Sequence, residues 1–267
     1  MSFITYLQEF PLPLVAILGG LVSGLGATTL GALPALFSTK VSPRAQDIMM
    51  GFGAGVMLAA TSFSLIVPAV DVQSAFTENK FLVSGIVALG MLIGAGFVFL
   101  CDRYAPHEHF FKGIEGGISK NLNRIWLFVI AVTIHNFPEG LAVGVVFGGD
   151  NLANALSLAI GIGIQNMPEG LVVALALISE KYSRRYALGI AALSGLVEPI
   201  GGIIGFLAVS IAKPLLPWGL SFAAGAMLYV ISHEIIPESH RKGFDKEATA
   251  GLILGFILMM ILDISLG

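Results

Sequence analysis

Eight long apolar runs divide this chain, and they constrain its fold more than any other feature. They cover residues 13–37, 48–70, 81–100, 125–147, 152–179, 186–212, 215–236 and 248–264 of the 267. Each is near or above the ~20 residues that cross the hydrocarbon of a bilayer. Only 12% of the residues are charged, about half the roughly 25% usual in soluble domains. The longest link, 102–124, is too short for a soluble domain of its own. The pattern predicts an all-α integral membrane protein of eight transmembrane helices, one domain over 1–267, with the lipid bilayer as its surroundings.

Charge placement orients the bundle. Of the 14 Lys and Arg residues, all but Lys80 and Lys213 fall in the links after the first, third, fifth and seventh runs. These are Lys40, Arg44, Arg103, Lys112, Lys120, Arg124, Lys181, Arg184, Arg185, Arg241, Lys242 and Lys246. Basic residues stay on the cytoplasmic side, so both termini are expected outside a multi-pass protein of the cell (plasma or inner) membrane. The N-terminal stretch MSFITYLQEFPLP has no basic region of the kind that opens a cleaved secretory signal. The single cysteine, Cys101, excludes an internal disulfide and a cysteine-based zinc site. Glycines four apart, such as Gly51/Gly55 and Gly201/Gly205, are read as close helix packing.

Polar residues interrupt the apolar pattern twice in near-copy. IHNFPEGLAVGV (134–145) is half-repeated as IQNMPEGLVVAL (164–175), thirty residues on. One helix and a short turn separate the copies, so they run antiparallel and meet near the middle of the membrane, a recurrent transporter arrangement. Helical spacing puts His135, Asn136 and Glu139 on one face, and Gln165, Asn166 and Glu169 on another. Pro138 and Pro168 leave the carbonyls of Ile134 and Ile164 without a helical donor. Such backbone is tolerated at this depth only against protein or a water-lined cavity. The sixth run adds Glu198 beside Pro199, at a similar depth.

No Lys or Arg lies inside a span to balance these three carboxylates, and a buried carboxylate needs either a proton or a cation. Three carboxylates, a histidine and three amides resemble a coordination shell for a divalent metal. The imidazole favours zinc, cadmium, iron or manganese over the all-oxygen preference of magnesium or calcium. Other polar residues leave two readings open. Asp71 and Asp263, near the outer ends of their runs, are an entrance for cations or interfacial carboxylates. His233, Glu234, Glu238 and His240, in SHEIIPESH, are a cytoplasmic exit relay or a solvated helix end. His107 and His109 belong to the same exit or are loop histidines. Met57 is packing or a soft ligand.

HNFPEG, QNMPEG, SGLVEPIGG and SHEIIPESH, on eight helices with both termini outside, resemble the ZIP (Zrt/Irt-like) family of divalent-metal transporters, in its prokaryotic GufA-type branch. The resemblance implies zinc-class metal uptake into the cytoplasm and a homodimer. It also implies inverted symmetry of the first three and last three helices around the central pair. Helices one, four, five and six would move as an elevator against the other four. Residue by residue, His135, Glu139, Gln165 and Glu169 match the family's first metal site, with Met57 contributing from the second helix. Asn136, Glu139, Asn166, Glu169 and Glu198 match its second site. Many members carry His where Gln165 stands, and some close relatives an acid where Asn166 stands. Zn2+ is then the expected transported substrate, with Cd2+, Fe2+ or Mn2+ as further cargo. No enzymatic activity and no nucleic-acid partner are expected.

Two other classes compete. A proton- or organic-substrate carrier would also bury carboxylates, but leaves the convergence of His and amides unexplained. An intramembrane metalloprotease would need a second His where HEIIP has Pro237.

Overall fold

A computed structural model describes residues 7, 10–37, 41–104, 107–109, 113–115, 124–149 and 151–266. Lys40, Lys112 and Lys120 lie outside the described residues. The helices are α1 (Pro13–Leu36), α2 (Pro43–Ser74), α3 (Lys80–Tyr104), α4 (Arg124–Phe147), α5 (Leu152–Ser179), α6 (Arg184–Ile211), α7 (Lys213–Ser239) and α8 (Asp245–Leu266). Among the described residues seven are long and apolar enough to cross a membrane, and α4 contributes the apolar stretch Val132–Phe147. The architecture is helical, as expected, apart from one short link. A short antiparallel hairpin, β1 (His107–His109) paired with β2 (Gly113–Glu115), sits in the link between α3 and α4.

Local chemistry sets the helix limits. Ser42 Oγ accepts from the Ala45 amide and Pro43 occupies the first turn, so α2 starts five residues before its apolar run. Asn151 and Ser183 cap α5 and α6 in the same way. Among the described residues, three helices contain a π-helical turn: Leu21–Gly26 in α1, Thr61–Ile66 in α2 and Ile231–Ile235 in α7. α6 breaks at Leu196, which puts Glu198 in the first turn of its second half. Pro138 and Pro168 sit within α4 and α5, which remain helical through them.

Glycine packing sorts the helices into groups. A Cβ on Gly140 or Gly144 would fall about 2 Å from backbone atoms of Glu198 or Gly202, which locks α4 onto α6. Gly31 and Gly170 lock α1 and α5 together through the backbones of Met167 and Thr28, and Gly24 packs α1 against α6. Gly51, Gly55, Gly251 and Gly255 interleave α2 with α8, and Gly94 and Gly225 interleave α3 with α7. Among the described residues, every glycine contact closer than 3.0 Å to backbone stays within α1/α4/α5/α6, within α2/α8 or within α3/α7. Between these sets the neighbours are side chains: Met259 against Gly161, Val145 against Gly219 and Gln165 against Gly53.

The apolar core follows this division in part. One buried cluster draws only on α1, α4, α5 and α6, through residues such as Ala32, Val132, Val173, Leu177 and Ala191. It lies at the end of the bundle where the basic links gather. The other, larger cluster joins all eight helices. Trp126, Tyr182 and Tyr186 form an aromatic group at the basic end, with the indole N–H donating to the Tyr182 hydroxyl at 3.1 Å. Amphipathic rings of this kind favour the membrane–water boundary.

Candidate metal centre

His135 lies half-way along α4 and Gln165 half-way along α5, so the two motifs meet at one level. A cavity of about 610 Å3 runs to them from the basic end. Its mouth is lined by Val41, Ser42, Ser179, Arg241 and Lys242, and its inner end by His135, Gln165, Glu169 and Glu234.

Direct hydrogen bonds tie the motif residues together. Gln165 Nε2 donates to Glu139 Oε2 at 2.8 Å, and also contacts Asn166 Oδ1. Asn166 Nδ2 donates to Glu198 Oε1 at 2.6 Å and to the Ser23 carbonyl at 2.8 Å. Ser23 belongs to the π-helical turn of α1, where the regular backbone pairing is interrupted. Asn136 Nδ2 donates to the Ser194 carbonyl at 3.0 Å, one of the last carbonyls before the break in α6. The two asparagines thus satisfy irregular backbone on the neighbouring helices.

This arrangement differs from a bare ring of carboxylates. Among the described residues no three His, Cys, Asp or Glu side chains are gathered closely enough to hold a metal ion. Amide groups lie between the acids instead. Among the described residues, four buried oxygens at this level accept no hydrogen bond: Asn136 Oδ1, Glu139 Oε1, Glu169 Oε1 and Glu198 Oε2. Asn136, Asn166 and Glu198 are 0% exposed. Buried acceptors without donors are costly unless a cation meets them.

The other sequence candidates separate. Glu234, expected at a helix end, is buried and pairs with the His135 imidazole. Glu238 lines the cavity. His233 turns away to Asp102 on α3, at 3.5 Å, beside the Tyr229 ring. His240 is held by the Ile236 carbonyl, Ser239 and Thr249, which ties the end of α7 to α8. His107 and His109 are in β1, and their side chains lie outside what is described. Met57 is buried in the larger apolar cluster. Asp71 is exposed, whereas Asp263 accepts from Ser64 Oγ at 2.6 Å, and Asn154 donates to the Ser64 carbonyl. Val56, Leu158, Ile162 and Met259 are buried.

Gln46 and Asp47 carry no role in the sequence reading, and Lys242 only one in orienting the bundle. Lys242 Nζ donates to Gln46 Oε1 at 2.7 Å and lies 3.9 Å from Asp47 Oδ1. Burial pushes the Lys242 ammonium below the usual lysine range, while Asp47 and Glu238 pull the other way. The available signal was Asp47 itself, a charge one residue ahead of an apolar run.

Comparison with known proteins gives these positions a context. The ZIP Zinc transporter family model matches residues 112–263. The zinc transporter GufA of Myxococcus xanthus is 50% identical over 93% of this chain and 99% of its own length. Zinc transporter ZIPB of Bordetella bronchiseptica is 45% identical over 94% of this chain and 81% of its own. Human zinc transporter ZIP11 is 34% identical over 91% and 94% respectively. A match over more than half the chain, with relatives this similar along nearly their whole length, leads to one conclusion: the chain belongs to the ZIP family.

Proposed function

We propose that this protein carries divalent transition-metal ions, zinc foremost, into the cytoplasm through a site between α4, α5 and α6. Cadmium, iron and manganese fit the same donor set of imidazole, carboxylate and amide oxygen. The observation that carries the reading is the group of unsatisfied buried oxygens of Asn136, Glu139, Glu169 and Glu198, beside His135 at the inner end of a cavity. The relatives named as zinc transporters support the cargo. Membership of a transporter family sets enzymatic readings aside. The divergence of His233 and Glu234 onto different helices also speaks against a metalloprotease.

In the proposed mechanism a cation takes over from the amide donors. Rotation of the Gln165 amide would turn Oε1 toward the ion and release Glu139. His135 and Glu169 would complete the ligand set, with Glu234 holding the imidazole in place. Asn166 keeps its hydrogen bonds to α1 and α6, so its amide serves where a second cation would otherwise sit. Met57 is the ligand proposed from the second helix.

All eight helices would span the membrane, with both termini outside and the cavity open to the cytoplasm, as the placement of the basic residues supports. Release from that side and entry from the Asp71/Asp263 side require alternating access. The division of backbone packing supports α1, α4, α5 and α6 moving as one body against the remaining four, along a seam of adjustable side chains. The moving protein would be a homodimer in the cell membrane. Zinc uptake by proteoliposomes tests the reading, with cadmium, iron and manganese as competitors. Glu169→Ala and His135→Ala should abolish uptake or reduce it severely. Full uptake by both variants would sink the site.

A further inference from the structure

Asp47 is 0% exposed, and among the described residues neither of its carboxylate oxygens accepts a hydrogen bond. The nearby Arg44 is engaged elsewhere, by Glu247 at 3.1 Å. The cation described beside Asp47 is the Lys242 ammonium, whose 3.9 Å separation from Oδ1 is too long for a hydrogen bond. That ammonium instead donates to Gln46 Oε1, and the charge of Glu238 acts on it as well. The Gln46 amide is held in turn, donating from Nε2 to the Val41 carbonyl at 3.2 Å. Gln46, Glu238 and Lys242 all line the cavity near its mouth.

We propose that Gln46, Asp47 and Glu238 form a cation-exchange site at the mouth of the cavity, with the Lys242 ammonium as its resident cation and a divalent metal ion as the exchanging one. Two carboxylates and an amide oxygen are suitable donors for such an ion. A buried carboxylate held by no hydrogen bond would otherwise bind metal tightly and delay its release. A competitor tethered to the same chain acts at high effective concentration, which keeps occupancy brief. The site rests on the reading of the cavity as a metal path, but its test does not depend on transport.

Zinc bound per chain is counted by equilibrium dialysis of the full-length protein in detergent. Lys242→Met should hold one more zinc than the wild type. Lys242→Met/Asp47→Asn should return to the wild-type count, and Lys242→Arg should match it. The series is repeated in a Glu169→Ala background. There the loss of an ion from the inner site tests the transport reading separately, and the Lys242→Met increment should persist. If Lys242→Met is too unstable to dialyse, its melting temperature should rise with zinc more than that of the wild type or the double variant. An unchanged count, an increment that survives Asp47→Asn, or an equal rise in melting temperature would overturn the proposal.

Discussion

Replacing Asn166 by Asp asks what this amide does, because the change keeps volume and shape while removing its donor. Two buried hydrogen bonds are lost, one to the Ser23 carbonyl at 2.8 Å and one to Glu198 Oε1 at 2.6 Å. An acceptor left unsatisfied in a protein interior costs about 1–3 kcal/mol, so the pair amounts to roughly 2–6 kcal/mol. Hydrogen bonds between membrane helices measure lower, at about 0.6 kcal/mol on average, which sets a floor of roughly 1 kcal/mol for two. The new carboxylate also faces Glu198, adding repulsion of the same sign. The prediction is a variant that melts well below the wild type in detergent with chelator, and that zinc restores. A ligand at 100 times its Kd returns about 2.7 kcal/mol, enough to offset much of the loss if the new acid completes a second metal site. Asn166→Ala loses the same hydrogen bonds without gaining a carboxylate, so zinc should stabilise it no more than the wild type. Melting curves over a zinc series, read for all three proteins, decide the matter. The reasoning is refuted if Asn166→Asp is as stable as the wild type in chelator, or if zinc stabilises the two equally.

Glycine substitutions test the backbone-packed sets and the proposed movement between them. Gly144→Ala and Gly55→Ala push a methyl onto backbone carbonyls about 1.9 Å away and should each destabilise by at least about 1–3 kcal/mol in thermal melts. Gly189→Ala meets nothing within 4 Å among the described residues and should be neutral or gain about 0.5–1 kcal/mol. Gly161→Ala presses on the Met259 sulfur across the seam; it should slow zinc uptake more than it lowers the melting temperature.

Hydropathy located the helices because each buries its backbone over a membrane's thickness, but it missed the polar turns at their ends. Asp47 fell outside the apolar run 48–70, yet α2 begins at Pro43, and that short difference hid a buried acid. Helical periodicity placed His135 with Glu139, and Gln165 with Glu169, since i,i+4 neighbours share a face wherever a helix forms. Partners on other helices were not legible. Asn136 and Asn166 read as metal ligands by resemblance, while their amides bind the Ser194 and Ser23 carbonyls, one beside a helix break and one in a π-helical turn. Counting from the helix end put Glu234 with His233 and His240. Neighbouring residues on a helix point in different directions, so Glu234 meets His135 while His233 meets Asp102.

The central claim is that metal is held at the inner end of the cavity by α4 and α5. Its most direct test is an anomalous-difference map from crystals of the full-length protein soaked in cadmium. The account predicts a peak bounded by His135, Glu139, Gln165 and Glu169, and its loss in Glu169→Ala crystals. Cadmium found only on surface carboxylates, with no density beside His135 at saturating concentration, would contradict it.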